Sequence, residues 1–70
     1  MQAEPAHNMI IECQAKDLGN TGLVTITQFK DALLAVHPEL TDNEVKHVLR
    51  EIEAVDGKIA YVAAITKHEL

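Results

Sequence analysis

The chain predicts an all-α fold of four helices, from three observations: four apolar stripes at helical spacing, a capping box ahead of the third, and a helix, glycine loop, helix pattern that occurs twice. The first stripe is Ala6, Met9, Ile10 and Cys13, with Pro5 suited to a first helical turn, and it ends near Lys16. The second is Phe29, Ala32, Leu33 and Val36. It stops before His37-Pro38, because proline pushes the residue ahead of it out of the α region. The third is Val45, Val48, Leu49 and Ile52, preceded by Thr41 and Glu44 at the spacing that lets side chain and backbone cap each other. The fourth, Tyr61, Ala64 and Ile65, sits in a β-branched, Ala-rich tail and is predicted from about Tyr61 to Lys67.

Between the first two stripes runs Asp17 to Gln28, and between the last two a shorter stretch around Asp56-Gly57-Lys58-Ile59. Each places a β-branched residue two positions after glycine: Val24 after Gly22 and Ile59 after Gly57. The segment Pro38 to Thr41 joins the two copies.

Seventy residues make one domain, and a chain of this size buries only about 60% of the surface its unfolded form exposes. With 47% hydrophobic and 3% aromatic residues, the core must come from Val, Ile, Leu and Ala around one Phe and one Tyr. The net charge of −5 disfavours nucleic acid and anionic membrane and favours a basic partner. No apolar run reaches the length of a bilayer span, and Met9-Ile10-Ile11 is too short for a signal-peptide core, so a cytoplasmic location is expected. The single Cys13 cannot form an internal disulfide and fits a reducing compartment. Lys67-His68-Glu69-Leu70 differs by one residue from an ER-retrieval tetrapeptide, and reads as the end of the last helix.

An enzyme would need a nucleophile or a poised acid/base pair in a cleft. The chain has no serine and one cysteine, which falls in a helical stripe. The missing serine also excludes acyl carrier proteins, whose prosthetic arm is attached there. Four histidines, at positions 7, 37, 47 and 68, form no i, i+4 pair and are expected as exposed imidazoles.

With Asp17 opening a loop, Gly22 in its sixth place, Val24 in its eighth, Phe29 directly after its twelfth, and Asp56-Gly57-Lys58-Ile59 as an echo, the chain resembles the EF-hand superfamily, in particular one lobe of calmodulin-like proteins. The resemblance implies a paired lobe over residues 1–70, with degenerate EF-hands at about 5–37 and 41–68, and a short antiparallel β bridge pairing Val24 with Ile59. It also implies that the sixth-place glycine turns with positive φ.

A calcium loop needs six to eight oxygens, including a bidentate glutamate in the twelfth place. The vestigial ligand places of the first loop hold Asp17, Gly19, Thr21, the carbonyl of Leu23, Thr25 and Gln28, with a single charged side chain among them. In the second, aligning Ile59 with the eighth place leaves the loop one residue short, opening at Glu53, with Val55 in a ligand place and Ala63 where the glutamate belongs. Calcium is therefore not expected to bind, and no cofactor is implied.

Family members with such loops serve as light chains of unconventional myosins, and the pattern and size here are similar to a single-lobe light chain of a class I myosin. The resemblance implies a monomer that grips the IQ-motif helix of a myosin heavy chain without calcium, stiffens its neck, and is associated with the actin cytoskeleton through the motor. The candidate groove is Met9, Cys13, Phe29, Leu33, Val36, Leu40, Val48, Leu49, Ile52 and Ile65, with Met9 and Leu40 as the direct contacts. Stripes at helical spacing more often form core, so most of these are expected there. The acidic rim candidates are Glu12, Glu39, Asp42, Glu51 and Glu53, with Glu44 serving its own helix cap. A weak calcium sensor or buffer, an adaptor for another helical target, and a self-associating lobe remain as alternatives.

Overall fold

The computed structural model describes residues 5–68 and 70, with side chains from His7 onward; the stripe position at Ala6 and the reading of Glu69 lie outside the described side chains. In chain order the elements are α1 (Pro5–Lys16), β1 (Leu23–Thr25), α2 (Ile26–Val36), α3 (Asp42–Glu51), β2 (Lys58–Ala60) and α4 (Tyr61–His68). The protein is mostly helical, with a small two-stranded antiparallel sheet.

Helix α2 starts three residues ahead of the first apolar residue of its stripe, because Thr25 caps it. The Thr25 hydroxyl accepts from the Gln28 backbone N–H at 3.1 Å, and the Gln28 Oε1 accepts from the Thr25 N–H at 2.9 Å. The predicted box ahead of α3 closes in the same way, Thr41 with Glu44 at 3.2 and 2.9 Å. Each box satisfies two backbone donors that a bare helix start leaves open. Helix α2 ends at Val36, where the His37 N–H still reaches the Leu33 carbonyl at 2.8 Å before Pro38 stops the chain.

The sheet pairs Val24 with Ile59, flanked by Leu23 with Ala60 and Thr25 with Lys58. Val24 and Ile59 face inward and their neighbours outward, as the two-residue period of a strand requires. Ahead of β2, the Val55 N–H donates to the Lys58 carbonyl at 2.8 Å and the Lys58 N–H returns the bond at 3.0 Å. Asp56 and Gly57 between them have φ of 55° and 75°. Two central residues with positive φ make the tight turn that Asp-Gly favours, so the second loop closes as a two-residue hairpin.

The core is one cluster. Phe29, Met9, Leu33, Ile59, Ile65, Val24, Val45 and Cys13 are fully enclosed, and Ala32, Ala64, Tyr61 and Ile52 complete it. Helix α1 packs on α2 and α4, whereas α3 leans chiefly on α2 and encloses only Val45 along its own length. No helix of the described residues is long and apolar enough to cross a membrane.

Candidate functional site

The first loop is built around one carboxylate. The last turn of α1 carries on into it, since the Asp17 N–H donates to the Cys13 carbonyl at 2.9 Å. The chain then curls, with Asn20 and Gly22 at φ of 51° and 81°, so that the next backbone N–H groups point back at the Asp17 side chain. Asp17 Oδ1 accepts from the Thr21 N–H and the Thr21 hydroxyl, both at 3.0 Å. Its Oδ2 accepts from the Gly22 N–H at 2.7 Å and from the Tyr61 hydroxyl at 3.0 Å. Four donors thus converge on a residue that is only 8% exposed.

The electrostatics follow from those contacts. The Thr21 N–H holds the Asp17 carboxyl below its ordinary range against the opposing effect of burial, and Gly22 and the two hydroxyls add to the depression. Burial raises the Tyr61 phenol, and the hydrogen bond to Asp17 and that carboxylate's charge raise it further. The arrangement keeps Asp17 ionised and Tyr61 protonated. Because Tyr61 begins α4, their bond ties the first loop to the second half of the chain.

The other first-loop positions are also engaged within the protein. The Thr21 hydroxyl oxygen accepts from the Leu23 N–H at 3.2 Å, Thr25 and Gln28 cap α2, and Gln28 Nε2 donates to the Lys16 carbonyl at 3.4 Å. Among the described residues, no group of three or more His, Cys, Asp or Glu side chains comes together as metal ligands would. The groups that converge on Asp17 in this loop are hydrogen-bond donors from the chain itself. Tyr61 was missed from sequence, where it counted only as a stripe residue. The signal was that a buried tyrosine hydroxyl needs a partner.

Of the ten candidate groove residues, Met9, Cys13, Phe29, Leu33 and Ile65 are fully enclosed and Ile52 nearly so. Met9 was expected as a direct contact, and this is corrected: it lies on the face of α1 that packs toward α2 and α4, one turn from Cys13, so no surface is left to it. Burial pushes the Cys13 thiol up to about 11, which makes it an inert apolar group. Val36, Leu40, Val48 and Leu49 are half-buried at the edge of the core, on the end of α2, the linker and α3. These four form the accessible part of the predicted groove.

The acidic candidates border different features of the fold. Glu12 borders a crevice shared by Asn8, Ile11, Ala35 and Val36 on the outside of α1 and α2. Glu39 lies 3.5 Å from His37 Nδ1. Asp42 and Glu44 occupy the first turn of α3, where negative charge suits the helix end, and Glu51 is exposed at the opposite end. Glu53 borders a separate recess beside the sheet. His7 and His47 are exposed as expected, but His37 is not free: its Nε2 lies 3.1 Å from the Leu70 carbonyl oxygen. The Leu70 N–H donates to Ile65 and its side chain packs on the core, which brings that carbonyl to the end of α2. His68 is half-buried.

No family model, curated protein or solved structure matches the chain.

Proposed function

We propose that the chain is a pair of degenerate EF-hands forming one lobe, and that it acts as a calcium-independent light chain gripping a basic amphipathic IQ-type helix of a myosin heavy chain. The observation that carries this reading is the Asp17 cradle: four protein donors occupy the carboxylate that would open a metal loop. A lobe closed in that way has no ion-driven opening to use as a switch, so its grip is constitutive. The paired-lobe reading is supported by symmetry, since Val24 pairs with Ile59 and a helix starts two residues after each, at Ile26 and at Tyr61.

The grip would combine two contributions. Apolar anchors of the partner helix would cover Val36, Leu40, Val48 and Leu49, and its Arg and Lys side chains would meet a particle of net charge −5. Helix α3 would shift to admit them, since it is the helix least enclosed by the rest. Covering the apolar stripe of an otherwise bare neck helix would stiffen it, and the chain would be found in the cytoplasm with the actin cytoskeleton through its motor. The role needs no catalytic group and no cofactor.

Calorimetric titration with a synthetic IQ-type peptide, once in chelator and once in millimolar calcium, tests the proposal. Equal affinity in both is the expected result. Binding only with calcium would assign the chain to a sensor or buffer, and failure to bind in either would remove the light-chain reading. Capture from cytosol in chelator should recover a myosin heavy chain.

A further inference from the structure

A second apolar recess, distinct from the Val36 to Leu49 surface, lies where the outer face of the sheet meets α4 and the end of α3. Leu23, Ile52, Val55 and Ala63 line it, around a volume of about 220 Å³. That is below the roughly 300–1,000 Å³ of small-molecule sites, and suits single side chains of a peptide better than a whole ligand. Its existence follows from local structure. The tight Asp56-Gly57 turn brings Val55 back beside Lys58, and alanines at 60, 63 and 64 offer only methyl groups where larger side chains would fill the space. Val55 stays 73% exposed and Leu23 40%, an apolar surface left to water.

The described side chains that line this recess carry a charge opposite in sign to that of the chain. Lys58 and Lys67 border it, joined by His68, while Glu53 is the only acid among the described lining residues. Lys58 and Lys67 make no ion pair within the described residues. We propose that the recess docks an acidic amphipathic segment of a protein partner, with an apolar side chain seated over Leu23, Ile52, Val55 and Ala63 and carboxylates meeting Lys58 and Lys67. The lobe then offers two docking faces of opposite preference. This second face does not depend on the light-chain reading and would stand if the IQ-type peptide failed to bind.

The test uses the full chain, labelled with ¹⁵N, and a helical peptide carrying two leucines one turn apart among glutamates; the same peptide with lysines in place of glutamates is the control. Saturable amide shifts centred on Val55, Lys58, Ala63 and Lys67 are expected with the glutamate peptide, with about tenfold weaker binding of the lysine peptide at low salt. The pair Lys58→Glu and Lys67→Glu should reverse that preference while the melting curve holds. Ala63→Leu, which fills the recess without changing charge, should weaken binding of the glutamate peptide. Equal binding of both peptides, shifts that map elsewhere, or concentration-dependent shifts of the same amides without peptide, which would assign the recess to a second copy, would each overturn the proposal.

Discussion

Truncating Leu33 and Leu40 separates core from contact surface. At about 0.05–0.15 kcal/mol per residue, a domain of this length has a total stability of about 3.5–10 kcal/mol. Leu33 is fully enclosed, so Leu33→Ala removes the transfer energy of the side chain and leaves a cavity, at a cost of about 2–5 kcal/mol. Each kcal/mol shifts the melting temperature of so small a domain by about 4–8 °C, so a loss of about 2–5 kcal/mol should lower the midpoint by about 8–40 °C. Leu40 is half-buried in the linker and packed at the edge of the core, so Leu40→Ala should cost about 1 kcal/mol. Thermal unfolding followed by circular dichroism measures both. In parallel titrations, Leu40→Ala should weaken binding of the IQ-type peptide by about tenfold, the loss of one good apolar anchor. The reasoning fails if Leu40→Ala melts as early as Leu33→Ala, or if it leaves peptide affinity unchanged.

The donors that Thr21, Gly22 and Tyr61 aim at Asp17, and the burial of Tyr61, make stability pH-dependent at both extremes. Asp17 has a depressed native pKa, so the stability it contributes is present above the unfolded carboxylate value of about 3.9 and disappears as pH falls through the native value. Asp17→Asn should therefore lower stability at neutral pH and flatten its acid dependence, as urea unfolding from pH 7 to 2 would report. Tyr61 is shifted the other way, so its contribution is present below the unfolded value of about 10 and lost as pH rises through the native one. Tyr61→Phe should remove that alkaline loss. Gly57 sits at φ of 75° with open space around a would-be Cβ, so Gly57→Ala meets backbone strain alone, about 1–2 kcal/mol, and D-alanine placed there by synthesis should cost nothing comparable.

The features legible in the sequence were those set by local chemistry. The helical stripes, the Thr41 box and the His37-Pro38 stop are short-range patterns, and they gave four helices with ends close to those observed. The pairing of Val24 with Ile59 was expected from the resemblance to paired EF-hand loops, which placed both residues in the eighth position. Two local signals were present but not used. Thr25 and Gln28 have the same box spacing as Thr41 and Glu44, and Asp56-Gly57 is one of the favoured signatures of a two-residue hairpin. Other features are not written locally. Whether Met9 faces partner or core depends on α2 and α4 both covering one face of α1. The Tyr61–Asp17 bond joins residues 44 positions apart. Which acids share a face is not written locally either, since charge counts along the chain do not give it.

A calcium titration followed by amide NMR, with calorimetry alongside, bears most directly on the closed first loop. With the Asp17 oxygens already held by Thr21, Gly22 and Tyr61, the amides of residues 17–28 should stay in place through millimolar calcium and no saturable heat should appear. Micromolar uptake that shifts Thr21 and Gly22 and frees the Tyr61 hydroxyl would contradict the account and make the chain a calcium-responsive lobe.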